Sequence, residues 1–322
     1  MKRFLAILIT LVCLFSCFGC AEDAPAETTE PTQAGASAAA LEALDGKKII
    51  FVGNSYTHVG KVVFSVGNNN LDQSMRENDR GYFYQLCKAR GIDVSVTSWT
   101  FGAHDLTASL GHNCSQNTCK NVDHLSYLTD PRFDYVALQL YIERAYTGDL
   151  NTHLQPLMDI FRQANPDVKF LLLIPHMAYD RNYAWVKDLA ALELPDVTVC
   201  NWGGMLYDIV RGKVQVPGAT QPYSRPTFVV SRDENDGHHQ NLLVGYLTAA
   251  MVYSAITGES AVGLPYGFCD DLTINPEFNM EAFKQKNYVY DTYTNFVEVY
   301  NSPADMNGLQ QLIDQYLQTG NG

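Results

Sequence analysis

Short apolar runs alternate with helix-like stretches along most of this chain, and this alternation restricts the possible folds more than any other feature. The run 168–174, with the sequence VKFLLLI, is almost wholly apolar, as expected of a strand buried on both faces of a parallel sheet. Helix-like stretches follow the strand-like runs. Each such crossover returns the chain to the same edge of the sheet, so the strands run parallel and the helices cover both faces. We therefore predict an α/β fold in three layers, α/β/α, with a central parallel sheet of about five strands.

The predicted elements follow each other in a regular order. The strands are expected at 47–52, 92–99, 134–139, 168–174 and 197–200. The helices are expected at 81–90, 122–128, 150–164, 183–192, 205–211, 241–257 and 304–317. Gly91 and Gly258 are placed to end two of these helices.

The N-terminus has the pattern of a secretion signal. Lys2 and Arg3 precede an apolar run over 4–18, whose length of about 15 residues is short of the roughly 20 that span a bilayer. The run ends near Cys17 and Cys20. Both sites resemble the bacterial lipobox, in which cleavage exposes a cysteine that carries diacylglycerol. We favour Cys20, because a polar tether follows it directly, and predict a signal peptide over 1–20.

Residues 21–45 are rich in Ala, Glu, Thr and Pro and contain no aromatic residue. Such a composition buries too little apolar surface to offset the entropy lost on ordering. We predict a flexible linker here and one folded domain over 46–322, with a C-terminal extension from about 264. The chain is then expected on the extracellular face of a bacterial membrane, or secreted.

The net charge of −13 restricts the possible partners. No basic cluster follows the signal region, so neither nucleic acid nor an anionic membrane surface is an expected partner. The lipid anchor is the only membrane contact that we predict.

Cys114 and Cys119 bracket four polar residues and favour a small disulfide, with a zinc site that includes His112 as the alternative.

Two polar segments are candidates for catalysis. Ser55 follows the first apolar strand and a glycine, at the carboxyl edge of the sheet where ligands of open α/β folds bind. Asp236 lies three positions before His239, so its carboxylate can reach Nδ1 and leave Nε2 to act as a base. Each segment also has a simpler interpretation: a polar turn for the serine and a helix cap for the aspartate.

Together these segments resemble the SGNH/GDSL serine hydrolase superfamily, which has its serine after the first strand and an Asp-x-x-His motif near the C-terminus. The resemblance covers roughly 46–260. It implies a flavodoxin-like sheet and a Ser-His-Asp triad of Ser55, His239 and Asp236. An α/β-hydrolase is a poorer match, because Thr57 stands where the second glycine of Gly-x-Ser-x-Gly is required.

The resemblance also implies an oxyanion hole. Its donors would be the N–H groups of Ser55 and Gly102 together with a side-chain amide, which is an asparagine in the family. Gln139 occupies that place in this chain and carries an equivalent N–H₂ donor on a longer arm. Asn54, where the family has aspartate, is a second departure from its pattern.

The implied activity is hydrolysis of acyl esters, acetyl esters above all, with a small molecule or a glycan as substrate and without a metal or organic cofactor. The main alternative is a surface glycan-binding protein on the same fold that has lost catalysis. A nutrient-capture lipoprotein would need two lobes, and nothing marks a hinge.

His176 follows the fourth strand and either faces the cleft or is bonded locally. A metal site at Asp233, Asp236 and the adjacent histidines would consume the base.

Overall fold

A computed structural model describes residues 35–58, 60–63, 80–100, 132–140, 150–176, 196–230, 239–269 and 299–319. Several sequence predictions lie outside these ranges and stay predictions. They are the signal peptide with Cys20, the disulfide between Cys114 and Cys119, the helices at 122–128 and 183–192, and the site residues Gly102 and Asp236.

Five parallel strands form the centre of the molecule, as predicted. They are β1 (Lys48–Gly53), β2 (Ser95–Thr100), β3 (Tyr135–Gln139), β4 (Lys169–Leu173) and β5 (Val197–Cys200). Their order in the sheet is β2-β1-β3-β4-β5, the doubly wound order of flavodoxin-like folds, which bind ligands where the strand order reverses. That reversal lies at the carboxyl ends of β1 and β3, so Ser55 follows the sheet at the position where a site is expected.

Helices cover the sheet and complete the three layers. They are α1 (Ala38–Leu44), α2 (Ser55–His58), α3 (Tyr82–Ala89), α4 (Leu150–Ala164), α5 (Trp202–Val210), α6 (Arg225–Phe228), α7 (Leu242–Thr257) and α8 (Pro303–Thr319). Within the described residues, none of the helices combines the length and the hydropathy needed to cross a bilayer. The predicted bounds of α4 agree with the structure, whereas α5 begins three residues earlier than predicted because Asn201 caps it, accepting from Gly204 N at 3.0 Å.

Helix α7 is the centre of one helical layer and is buried on nearly every face. A helix that is apolar all round has to be surrounded by other elements, and α7 packs against α1, α3 and α8. Asn241 caps its first turn by accepting from Val244 N at 3.2 Å. Gly258, with φ of 72°, ends it in the left-handed conformation.

The folded domain begins earlier than the sequence predicted. Residues 38–44, within the predicted linker, form α1, and Ala40 and Leu44 are fully buried. Polar contacts hold the start of this segment, since Ser37 N donates to Glu259 Oε1 at 2.8 Å. The prediction failed because the burial of two apolar side chains suffices here: α7 already presents a surface that covers them.

The C-terminal helix α8 is part of the same domain. Gln310 Nε2 donates to the Tyr246 hydroxyl at 2.7 Å and to the carbonyl oxygen of Leu264 at 2.9 Å. Asp305, which is fully buried, accepts from the Tyr223 hydroxyl at 2.6 Å. These buried bonds fix α8 against α7 and the loop after α5.

One element pair was not predicted at all. Strand β6 (Val229–Val230) pairs antiparallel with β7 (His239–Gln240). With two residues in each strand, this ribbon is too short to produce a periodic sequence signal.

A close approach between α7 and the chain after α2 provides a stability test. A Cβ on Gly245 would lie 1.5 Å from the carbonyl oxygen of Gly60. Gly→Ala inside a helix normally stabilises by about 1 kcal/mol, whereas overpacking costs about 3 kcal/mol. We therefore expect Gly245→Ala to lower the thermal midpoint. In the control Gly267→Ala, the new Cβ meets nothing within 4 Å and the midpoint should stay the same. A midpoint raised by Gly245→Ala would contradict this packing.

Candidate active site

Ser55 is the first residue of α2 and directly follows the buried end of β1. The turn is closed by the carbonyl oxygen of Asn54, which accepts from Thr57 N at 3.0 Å and His58 N at 3.4 Å. Asn54 Oδ1 accepts from Tyr56 N at 3.0 Å. Among the described residues, no acceptor binds the N–H of Ser55.

His239 lies in direct contact with this serine. Its Nε2 is 2.9 Å from Ser55 Oγ, although 184 positions separate the two residues. A base within this distance of a hydroxyl can accept its proton as the oxygen attacks an electrophile. The pair that the sequence singled out is therefore brought together with the geometry of a nucleophile and its base.

The backbone at His239 and directly after it is anchored. Val230 pairs with His239, and Val229 pairs with Gln240, in the β6–β7 ribbon. Asn241, the cap of α7, donates from its backbone N–H to the carbonyl oxygen of Phe228 at 3.0 Å and from Nδ2 to that of Thr227 at 2.7 Å. The base thus precedes a fixed helix terminus. Its predicted orienting partner, Asp236, lies outside the described residues.

Gln139 holds the nucleophile turn in place. Its Oε1 accepts from Asn54 N at 3.2 Å and from the Thr57 hydroxyl at 2.7 Å. Its Nε2 donates to the carbonyl oxygen of Leu140 at 3.0 Å. The amide orientation follows from these partners, because an N–H donor has to face an acceptor. One N–H of the amide remains for the predicted oxyanion role, which stays a prediction.

Gly53 allows this arrangement. A Cβ at this position would lie 2.7 Å from the Cβ of Gln139 and 3.0 Å from its Oε1. Any larger residue would push the glutamine away from the turn. The glycine before Asn54 and Ser55 is therefore needed for the bracing contact between β1 and β3.

His58 joins the nucleophile helix to the end of β2. Its Nδ1 lies 3.1 Å from the Thr100 hydroxyl, which in turn lies 2.9 Å from the Ser98 hydroxyl. Burial lowers the pKa of His58 to about 4, because a charged imidazole is disfavoured where water is excluded. His58 is therefore neutral at pH 7 and positions the end of β2, which leads towards Gly102.

Three aromatic side chains form a wall beside the Ser55–His239 pair. The Tyr56 ring lies 5.7 Å from the His239 ring and 6.0 Å from the His176 ring. His176 in turn lies 5.6 Å from Trp202. His176 is buried, 5% exposed, and contacts both Tyr56 and Trp202 within this wall. Sequence reasoning named His176 but missed Tyr56 and His58, although both follow Ser55 within three positions.

Other candidate nucleophiles in the described part of the chain are poorly suited. Cys87, Cys200 and Cys269 are buried. Burial raises the pKa of the Cys87 thiol and raises that of Cys200 to about 12. Such thiols are not ionised at neutral pH and react poorly. Nor do three His, Cys, Asp or Glu side chains gather as metal ligands would within the described ranges.

No protein-family model matches the chain, and no curated protein matches it in sequence. Several solved structures are similar to it. A DUF4886 family protein from Bacteroides uniformis is 12% identical with a TM-score of 0.47, and the match covers 84% of this chain and 95% of that one.

Two further solved structures are similar to the chain. A GDSL-like lipase from Parabacteroides merdae is 15% identical with a TM-score of 0.44, covering 67% of this chain and 97% of its own. A variant of an acetyl xylan esterase from Geobacillus stearothermophilus is 14% identical with a TM-score of 0.40, covering 66% and 95%.

The burial of His58 predicts how stability depends on pH. Its pKa is near 6.5 in the unfolded chain and about 4 when folded, so the unfolded state binds the proton first as pH falls. The His58 contribution should be complete above pH 6.5 and lost between pH 6.5 and 4, by about 3 kcal/mol. Denaturant unfolding across this range should show that loss in the parent and a smaller one in His58→Gln. Equal slopes for both proteins would contradict the assignment.

Proposed function

We propose that this protein is an extracellular serine esterase that hydrolyses acyl esters, acetyl esters above all, carried by carbohydrate. The observation that carries the proposal is the 2.9 Å contact between His239 Nε2 and Ser55 Oγ at the carboxyl edge of the sheet. A hydroxyl in contact with an imidazole is the arrangement that activates a serine for acyl transfer.

The reaction follows in two steps. His239 Nε2 takes the Ser55 proton as Oγ attacks the ester carbonyl, and the resulting imidazolium protonates the leaving alcohol. Water then attacks the acyl-serine, giving its proton to His239, and the acid leaves as the proton returns to Ser55. Asp236 is proposed to hold the imidazole tautomer throughout.

The tetrahedral intermediate needs donors for its oxyanion. The N–H groups of Ser55 and Gly102 and the second N–H of Gln139 are the proposed donors. Each such donor lowers the barrier by about 3 kcal/mol when aimed at the developing charge. Gln139 also has a bracing role here, since its Oε1 holds Asn54 and Thr57 on either side of the serine.

The proposed location is the outer face of a bacterial membrane, with diacylglycerol on Cys20 and residues 21–34 as the tether. The mass of the N-terminal peptide of the mature protein tests this. We expect a peptide that begins at Cys20 and carries the mass of diacylglycerol. A lipid-modified peptide that begins at Cys17 would assign the anchor to that residue, and an unmodified peptide would contradict a lipid anchor.

A hydrolysis assay tests the catalytic proposal. We expect p-nitrophenyl acetate to be hydrolysed by the parent and Ser55→Ala to lose at least about 1,000-fold in kcat/KM, since the attacking oxygen is gone. His239→Ala should lose a comparable factor. Ser95→Ala, at the exposed amino end of β2 and so at the edge of the sheet opposite to Ser55, is the matched control and should retain parent activity.

Two results would contradict the proposal. Full activity in Ser55→Ala would assign hydrolysis to another group. A parent that neither hydrolyses p-nitrophenyl acetate nor releases acetate from acetylated oligosaccharides, yet binds the oligosaccharides, would indicate the glycan-binding alternative.

A further inference from the structure

The chain comes very close to the segment that carries His239 just after it leaves α2. Gly60 is buried two residues after the end of this helix. A Cβ on Gly60 would lie 2.5 Å from Gln240 Cγ, 3.1 Å from Gln240 Nε2 and 3.0 Å from the carbonyl oxygen of Asn241. Carbon atoms in contact normally lie about 3.5–4.0 Å apart. Only a glycine therefore fits at this position without moving its neighbours.

The residues that Gly60 touches continue directly from His239. Gln240 is the neighbour of His239 in β7, and α7 begins two residues later. The carbonyl oxygen of Gly60 lies against Gly245 in the first turn of α7, since a Cβ on Gly245 would be 1.5 Å from this oxygen. Gly60 is therefore packed against both the strand that holds the base and the helix that follows it.

The Gln240 side chain is held in place by packing. It is fully buried, and within the described part of the chain neither its Oε1 nor its Nε2 has a hydrogen-bond partner. A buried amide without partners lowers stability, so hydrogen bonding does not explain a glutamine at this position. The Cγ of this side chain packs against Gly60 and has no solvent-exposed space to move into. A push on Gln240 is therefore transmitted to β7.

The segments of the nucleophile and the base thus meet at two places. His239 Nε2 lies 2.9 Å from Ser55 Oγ, and Gly60 is packed against Gln240. The first contact joins two side chains that can rotate apart. The second joins buried groups in a close-packed interior, which resists compression. A change at Gly60 that separates the segments should therefore also separate the serine from the histidine.

We infer that Gly60 and Gln240 are positioning residues, whose contact sets the distance between Ser55 Oγ and His239 Nε2. The inference rests on the proposed function for the role of this pair in catalysis. A Cβ on Gly60 displaces Gln240 by about 1 Å to restore a normal contact, and His239 moves with its neighbour. A displacement of about 1 Å at a reacting group can slow a reaction about 100-fold.

Paired substitutions test the contact by compensation. We expect Gly60→Ala to reduce kcat for p-nitrophenyl acetate about 100-fold, because the base is moved away from the serine. Gln240→Ala removes the Cγ and the amide that the new Cβ would meet. The double variant should therefore be at least about tenfold faster than Gly60→Ala. A double variant as slow as Gly60→Ala, or a Gly60→Ala protein as fast as the parent, would overturn the inference.

A spectroscopic measurement does not depend on turnover. The nitrogen-15 resonance of His239 Nε2 responds to the Ser55 hydroxyl, and Ser55→Ala gives its value without that hydroxyl. We expect the resonance to move towards the Ser55→Ala value in Gly60→Ala and to return towards the parent value in the double variant. A resonance unchanged in Gly60→Ala would overturn the inference. The expected shifts in a protein whose parent form has no esterase activity would support the positioning contact and reject the proposed function.

Glu259→Gln is the matched control, because it loosens the opposite end of α7. Glu259 pairs with Arg90 at 3.0 Å just beyond the end of this 16-residue helix, about 24 Å from its first turn. We expect a lower thermal midpoint with unchanged kcat and an unchanged His239 resonance. Changes equal to those of Gly60→Ala would contradict a local positioning role. If Gly60→Ala does not fold, a folded double variant shows the same compensation, and a double variant that is also unfolded would overturn the inference.

Discussion

The Gln139 side chain is the contact on which the geometry of the site depends. One oxygen accepts from the backbone of Asn54 and from the hydroxyl of Thr57, with Ser55 and Tyr56 between them. These bonds are buried, and a buried donor left without its acceptor costs about 1–3 kcal/mol. The end of β3 therefore fixes the turn that follows β1. Gly53 has no side chain, which lets the two strands approach closely enough for this contact.

Helix α7 fixes the second half of the pair. Because it is buried on nearly all faces, its position is set by packing against three other helices. Asn241 joins the cap of this helix to the backbone of Thr227 and Phe228, and His239 lies two residues before it. The serine is thus placed by the sheet and the histidine by the helical layer. Their 2.9 Å contact results from how these two layers pack.

The fold could be predicted where burial leaves a pattern in the sequence. Strands β1, β3 and β4 are short apolar runs, α4 has the length and periodicity of a helix and α7 has the length of one, so their positions were predicted well. Helix α1 was missed because its stability comes from the α7 surface that covers Ala40 and Leu44, which local composition does not reveal. The β6–β7 ribbon was missed because two residues per strand show no period.

The sequence predicted the catalytic pair but not the contacts that hold the pair in position. The order of the motifs paired Ser55 with His239, and the two side chains are in contact. Gln139 was predicted from its amide donor, whereas the structure shows its oxygen bracing the nucleophile turn. The contact of His58 with Thr100 depends on long-range packing, so no local sequence pattern indicated it.

Covalent labelling with a fluorophosphonate, followed by peptide mass spectrometry, tests the central claim most directly. If His239 activates Ser55, the reagent should modify Ser55 selectively, and labelling should be strongly slowed in His239→Ala. A probe that leaves Ser55 unmodified in folded protein, or that labels it equally fast without His239, would contradict the account.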